Sequence, residues 1–338
     1  MTTPTSTTPR TQPTDIRDDV QAYRGHFAER GDAAEAARKH RYGNVVKGYY
    51  DLVTDFYERG WGRSFHFAPL RAGQSRQESL RAYEEHLAKV AGFGPGMHVL
   101  DLGCGVGGPL RTVAQATGAR VTGINSNAGQ VARAQRYNRE AGLADLCQVR
   151  EGDFMNLPFD DGSIDGVYAF EALCHAPDTA GVYREIHRVL KPGGVLAVSE
   201  WVMTDRYDPQ DPEHRRIKAD IELGNGIPDM PTVGQTRQAI QDAGLTIEVD
   251  EDARGMGDAD WPWYRPIAGR DWDGLGFRRG PVGRKLLERL IRLLEATRIA
   301  PKGTVDVSEF LNVGADALVQ AGERNLFTPM HVFRARKA

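Results

Sequence analysis

The sequence predicts an α/β protein in which a doubly wound sheet carries helices on both faces, with a helical cap before it and a helical insertion near the C-terminus. Three observations predict this. From Met97 onward, short apolar runs alternate with amphipathic segments. The glycine-rich stretch Gly103-Cys104-Gly105-Val106-Gly107-Gly108 closes the first apolar run and opens the first helix, where such a sheet binds its ligand. Ahead of Met97 there is no strand-like alternation.

The N-terminal stretch Met1 to Pro13 is rich in Thr and Pro and lacks the apolar segment of a signal peptide, so residues 1–20 read as a disordered tail. Ala22–Val53 mixes Ala, charges and spaced aromatics, and Gln77–Ala91 continues in that style, which predicts a helical cap over residues 21–96. The sheet domain, residues 97–253, follows. Its strands are His98–Leu102, Arg120–Ile124, Cys147–Glu151, Ile164–Phe170, Val195–Trp201 and Thr246–Asp252, and its helices are Gly108–Thr117, Ala128–Ala141, Thr179–Leu190 and Val233–Ala243. The next strand-like run is Met330–Ala335. Residues 254–338 therefore hold an insertion, with the cluster Trp261-Pro262-Trp263-Tyr264 and a helix near Pro281–Arg298. On that helix Leu286, Leu287, Leu290, Ile291 and Leu294 share one face, with Arg284, Lys285, Arg289, Arg292 and Arg298 elsewhere around it. Such a face either packs on a core or rests on anionic headgroups.

Composition excludes several classes. A net charge of -3 is wrong for a protein whose main partner is nucleic acid, since neutralising phosphates needs an excess of Lys and Arg. Cys104, Cys147 and Cys174 are odd in number and form no Cys-x-x-Cys pair, so neither a disulfide framework nor a zinc site is expected and a reducing cytoplasm fits. No run of 18 apolar residues is present, so a membrane span is not expected, although contact with a membrane surface is compatible.

The eleven residues Tyr57-Glu58-Arg59-Gly60-Trp61-Gly62-Arg63-Ser64-Phe65-His66-Phe67 bring four aromatic rings, a carboxylate and an imidazole together among glycines. The rings could wall a cation, because aromatic faces attract positive charge, or simply fill a core. Asp101, just before the glycines, would repel a pyrophosphate and suits a ligand bearing an ammonium or sulfonium. Glu171 and His175 follow the fourth strand, at a carboxyl end of the kind where doubly wound sheets bind ligands, and there His175 could accept a proton with Glu171 as its orienter or as a counter-charge. Cys174 beside His175 reads as packing, since neighbours in an extended chain point apart.

The loop Asp101–Pro109 resembles the first motif of class I S-adenosylmethionine-dependent methyltransferases, which have a Rossmann-like sheet. That resemblance implies cofactor contacts from Asp101, Gly103 and Gly105, ribose contacts from Asn125 where most members have an acid, a contact from Gln130, and adenine contacts from Asp153 and Phe154. Further blocks, in order along the chain, narrow it: Tyr57–Phe67, Phe170–Pro177, Glu200–Asp205, Glu213-His214, Ile221–Pro228 and Leu326–Met330. Together they resemble the sterol 24-C-methyltransferase family, as does the Trp-Pro-Trp-Tyr region. Asn225 departs from it, standing where Asp is expected.

The resemblance implies methyl transfer from S-adenosylmethionine to a sterol side-chain double bond at carbon 24, a carbocation, a hydride shift and loss of a proton. It implies Tyr57, Trp61, Phe65 and Phe67 as aromatic walls; Glu58, Glu171 and Glu200 as acids; His175 or His66 as base; and Tyr168, Trp201 and Glu222 beside the substrate. It leaves room for peripheral membrane contact and for a homo-oligomer. Two other readings compete: a methyltransferase acting on another terpenoid or a tocopherol-type phenol, and a lipid-binding protein without turnover.

Overall fold

The computed structural model describes residues 15–29, 31–269 and 280–338. Four helices come first: α1 (Arg17–Gly25), α2 (Asp32–His40), α3 (Tyr42–Trp61) and α4 (Arg76–Ala91). α1 begins inside the segment expected as tail, of which residues 1–14 lie outside the described residues. The reason is burial. Val20 and Tyr23 are both 2% exposed, and the Tyr23 ring meets Phe310 at 5.0 Å, so a contact nearly three hundred residues away in sequence orders α1. α4 starts on a capping box in which Ser75 accepts from Glu78 N–H while the Glu78 carboxylate accepts from Ser75 N–H, and it ends at Gly92 in the left-handed region.

The sheet is built from β1 (His98–Leu102), β2 (Arg120–Asn125), β3 (Cys147–Glu151), β4 (Ile164–Phe170), β5 (Leu190–Met203), β6 (Leu245–Asp252) and β7 (Phe327–Lys337), in the order β3-β2-β1-β4-β5-β7-β6. The pairs among β1 to β5 are parallel, and β7 is antiparallel to both neighbours. α5 (Gly108–Thr117), α6 (Ala128–Glu140), α7 (Thr179–Val189) and α9 (Val233–Asp242) flank it. Strand order reverses between β1 and β4, so their carboxyl ends splay and leave the crevice in which doubly wound sheets bind ligands. The C-terminal region is no appendage, because β7 inserts between β5 and β6 and is paired along its length.

Two core clusters occupy opposite faces of the sheet, as the period of two requires: along β1, Val99 faces one cluster and Leu100 and Leu102 the other. Sequence reading left two helices unassigned, α8 (Pro212–Asn225) and α11 (Thr304–Glu323). α8 carried its own signal. Asp211 accepts from Glu213 and His214 N–H as N-cap, and Pro212 sits in the first turn. The two helices cross at Gly224 and Gly314, where a Cβ on Gly314 would lie 2.7 Å from Gly224 Cα. α10 (Pro281–Ala296) packs on α11, yet of its residues only Gly283 and Ile291 are buried. Its leucine face is not spent on the core: Leu286, Leu290 and Leu293 are 49%, 50% and 61% exposed.

Candidate functional site

The crevice between β1 and β4 opens into a cavity lined by Asp101, Gly103, Gly105, Asn125, Gln130, Phe154, Glu171 and His175 from the sheet domain and by Tyr50, Phe65 and His66 from the cap. Gly103 has φ +71°, and a Cβ there would meet the Ala172 Cβ at 2.5 Å. Backbone therefore forms the floor, and any side chain would fill it. Asp101 is 1% exposed; Tyr168 O–H donates to its Oδ2 at 3.0 Å, leaving Oδ1 for a ligand. Burial pushes the Asp101 carboxyl up to about 8, with the Tyr168 hydrogen bond pulling the other way. A cationic ligand would reverse that shift, so the donor set fits an ammonium-bearing cofactor.

Asn125, expected to hold ribose hydroxyls, is partly committed within the protein. Its Oδ1 accepts from Gly105 N–H at 3.3 Å and its Nδ2 donates to Gln130 Oε1 at 2.9 Å, while Gln130 Nε2 donates to Thr54 Oγ1. One amide N–H and one carbonyl lone pair remain for a ligand.

His175 sits on the 3₁₀ turn Leu173–His175 just past β4. Its Nδ1 lies 3.1 Å from Gly226 O, which can only accept, so Nδ1 carries the proton and Nε2 presents its lone pair to Tyr50 O–H at 3.1 Å. Burial pushes the imidazole down to about 4, so it is neutral at pH 7. Glu200 accepts from Leu173 and Cys174 N–H, each at 3.1 Å, and so fixes this turn; burial raises its carboxyl to about 7.

A second cavity, of about 220 Å³, is lined mainly by apolar groups. Tyr57 and Trp61 reach it from the last turns of α3, Phe65, His66 and Phe67 from the following loop, and Trp201 from β5, with α8, α10 and α11 closing the far side. Gly62, at φ +88°, ends α3 and folds the run back on itself, so that Tyr57 and Phe65 lie 5.3 Å apart and Trp61 meets Phe67 edge-on at 4.9 Å. Phe67 in turn stands edge-on to Trp263 at 4.9 Å, which explains the Trp-Pro-Trp-Tyr cluster as the layer behind this wall. One face of Trp61 is already covered by the Arg76 guanidinium at 4.7 Å.

Phe65, His66 and Glu171 line both cavities. Glu171 has φ +53°, a backbone state that residues with a Cβ seldom adopt, and its Oε1 accepts from Phe67 N–H at 2.6 Å. Burial raises this carboxyl well above the ordinary range, and a positive charge nearby would pull it back down.

The other residues predicted for the site lie elsewhere. Glu58, on α3 but turned away from both cavities, accepts from Arg133 and, at 2.6 Å, from Tyr137 O–H, joining the cap to α6. Asp153 does not line the cofactor cavity; its carboxylate takes the Tyr42 O–H and the Met155 N–H, while Phe154 beside it does reach the cavity. Tyr168 supports Asp101 from beneath and lines neither cavity. Glu222 is 2% exposed between Lys218 and Arg38 and accepts from Met230 N–H, which places it in a buried ion-pair network that holds the Gly226–Met230 loop. His66 has both ring nitrogens engaged within the protein, one at Phe67 O, 2.7 Å away, and the other at Glu84 Oε1, 2.9 Å away, so neither is presented to a ligand. Two residues escaped sequence reading. Tyr50 stands seven residues before Tyr57, on nearly the same face of α3, which is a signal that could have found it; Glu84 belongs to a helix that showed none.

Comparison with known proteins adds to this geometry. A methyltransferase-domain family model matches residues 100–198, and a sterol methyltransferase C-terminal family model matches residues 275–338. The chain is 46% identical to cycloartenol-C-24-methyltransferase 1 of Oryza sativa subsp. japonica over 95% of its length and 91% of that protein's. It is 47% identical to the sterol 24-C-methyltransferase of Eremothecium gossypii, over 94% and 87% of the two lengths. Among solved structures, the cyclopropane synthase MmaA2 of Mycobacterium tuberculosis superposes with a TM-score of 0.68 at 18% identity, covering 87% of this chain and 98% of that one, which shows the shared class I methyltransferase fold.

Proposed function

The chain belongs to the sterol 24-C-methyltransferase family, and on that premise we propose that its two cavities hold S-adenosylmethionine and a sterol side chain respectively, with the methyl passing between them beside Glu171. The sharing of Phe65, His66 and Glu171 by both cavities carries this reading, since a methyl can move only where the two ligands touch. When bound, the cofactor supplies an electrophilic methyl on a sulfonium. Asp101 Oδ1 would receive its ammonium, the backbone at Gly103 and Gly105 would border it, the free amide N–H of Asn125 would serve its ribose, and Phe154 would pack on its base.

An alkene needs no base to be activated. Its π electrons form the new bond to carbon 24, the electrons of the broken sulfur–carbon bond stay on sulfur, and positive charge appears on carbon 25. Tyr57, Trp61, Phe65 and Phe67 face that charge and exclude water. A hydride shift then moves the charge to carbon 24, and loss of a proton discharges it. Glu171 receives the proton: ionised while a cation is beside it, the buried carboxylate is driven back to the acid form as the positive charge disappears. His175 lines the cofactor cavity alone, and there Tyr50 and Gly226 hold it as a neutral wall. Tyr168 and Glu200 position Asp101 and the 3₁₀ turn.

No helix among the described residues is long and apolar enough to cross a membrane. The sterol enters from a bilayer on which α10 rests: Leu287 and Arg284 line the acceptor cavity, while Leu286, Leu290 and Leu293 on the same helix face solvent beside Lys285 and Arg289.

Incubating the purified protein with methyl-labelled S-adenosylmethionine and, in turn, sterols with and without a side-chain double bond at carbon 24 and a set of phenols tests the reading. Label is expected only in the unsaturated sterols, and Glu171→Gln is expected to lower kcat by on the order of 100-fold or more. Label appearing in phenols instead, or an undiminished kcat in Glu171→Gln, would overturn the proposal.

A further inference from the structure

The carboxyl end of α8 meets side chains of the cap and of the turn after β4 with its last carbonyls. A helix leaves its final C=O groups without partners of its own, and they carry the negative end of its dipole. Here Leu223 O accepts from Tyr23 O–H, Gly224 O from Tyr49 O–H at 3.1 Å, and the C-cap Gly226 O from His175 Nδ1 at 3.1 Å. Tyr49 is tightly held in this place. It is 1% exposed, and its ring lies so close to Gly226 that a Cβ there would come within 2.7 Å of it. The rings of Tyr23 and Phe310 flank it at 5.8 and 6.3 Å.

A carbonyl oxygen can only accept, so the Tyr49 proton is committed to Gly224 and the Tyr49 oxygen turns its lone pairs to the Tyr57 hydroxyl, 2.7 Å away. Tyr57 is therefore the donor of that pair. The opposite polarity would set oxygen lone pairs of Tyr49 and Gly224 against each other at 3.1 Å. Tyr57 lines the acceptor cavity and Tyr49 lines neither cavity, so the Tyr57 proton is turned into the protein, and whatever meets its oxygen from the cavity meets lone pairs. A second arm runs in the same sense: Gly226 O accepts from His175, whose Nε2 accepts from Tyr50 O–H, so Tyr50 likewise offers the cofactor cavity an oxygen and not a proton. We propose that Tyr49 is a positioning residue for methyl transfer: anchored on the Gly224 carbonyl, it turns the Tyr57 hydroxyl so that an oxygen lone pair faces the carbocation. This assignment rests on the sterol reading above and deepens it. The Tyr57 ring attracts positive charge whichever way its hydroxyl points, but the O–H dipole adds to that attraction in this orientation and opposes it in the other. The orientation is set before the charge appears, and each donor in the chain from the helix end polarises the next.

A double-variant cycle of Tyr49→Phe, Tyr57→Phe and the pair tests it. Tyr49→Phe deprives the Tyr57 proton of its acceptor and frees it to turn into the cavity, so kcat for a Δ24 sterol is expected to fall roughly tenfold, with KM for the sterol and cofactor affinity within about threefold of wild type. Once Tyr57→Phe has removed the hydroxyl nothing is left to orient, so adding Tyr49→Phe should cost less than about twofold. A second readout is the binding of a sterol with a protonated nitrogen in place of carbon 25, set against its neutral carbon analogue. The wild type should favour the cation, and each single variant should reduce that preference by roughly tenfold. A merely structural loss would weaken both ligands alike. Losses that multiply in the pair, or a cation preference unchanged in Tyr57→Phe, overturn the role of Tyr49 while leaving the methyltransferase reading intact, and the Tyr57→Phe comparison stands whether or not Tyr49→Phe folds. If the wild type methylates no sterol at all, the reading beneath it fails too.

Discussion

With Asp101 receiving the cofactor's ammonium, as proposed, cofactor binding is expected to depend on pH in a range where an ordinary Asp would not titrate. Burial holds its carboxyl at about 8, so the folded chain keeps this proton between roughly pH 4, where an unfolded Asp releases it, and about 8. The folded state binds more protons than the unfolded state across that window, so stability contributed here is complete below it and is lost as pH rises through it. A ligand with an ammonium beside Oδ1 favours the ionised form, so binding is strongest when the proton has already gone. At pH 6 about 1% of the sites are ionised and at pH 8 about half, so apparent affinity should rise on the order of 50-fold between them. S-adenosylhomocysteine is the right probe, because it keeps the ammonium but lacks the sulfonium that would engage Glu171. Calorimetric titrations at pH 6, 7 and 8 measure the slope, with Asp101→Asn as the control, since an amide still accepts from Tyr168 yet does not titrate. A flat wild-type profile, or an Asp101→Asn profile as steep as the wild type's, would refute the reasoning.

Trp61 lines the apolar cavity and not the one that holds Asp101, so Trp61→Ala should lower kcat/KM for the sterol by roughly tenfold or more through the lost cation–π contact while leaving cofactor affinity within about twofold; equal losses would mark the ring as purely structural. Glu58→Gln should cost about 1–3 kcal/mol of stability by weakening the tie to Arg133 and Tyr137. Its kcat, measured below the melting transition, should hardly change, and a 100-fold loss in a variant with native melting behaviour would return Glu58 to the chemistry. Gly103→Ala should destabilise by about 2–4 kcal/mol, combining positive-φ strain with overlap on Ala172. The double variant Gly103→Ala/Ala172→Gly should regain part of that loss in urea unfolding, and no recovery would mean that the contact with Ala172 is not the cause.

Much of this site was legible from local sequence. The parallel strands, the glycine loop with Asp101 before it and the aromatic run are adjacent residues whose spacing carries their meaning. Glu58 and Glu222 were misleading for a common reason: each is a carboxylate near aromatic or glycine-rich neighbours, and only packing reveals that its charge is met by Arg133, or by Lys218 and Arg38. Tyr168 and Glu200 lie close to the site in sequence, yet strand alternation and the path of β5 put them beneath it, where they hold other groups in place.

By itself, the sequence determined the sheet, the cofactor loop and the family, because apolar periodicity, backbone freedom at glycine and ordered blocks of residues are properties of the chain read in one dimension. The tertiary structure alone decided that Phe65, His66 and Glu171 border two cavities at once, that His66 has no free nitrogen, and that α10 leaves its leucines uncovered. Those facts depend on which distant side chains are buried together, and burial, which sets both hydrogen-bond partners and the cost of charge, exists only once the chain has folded.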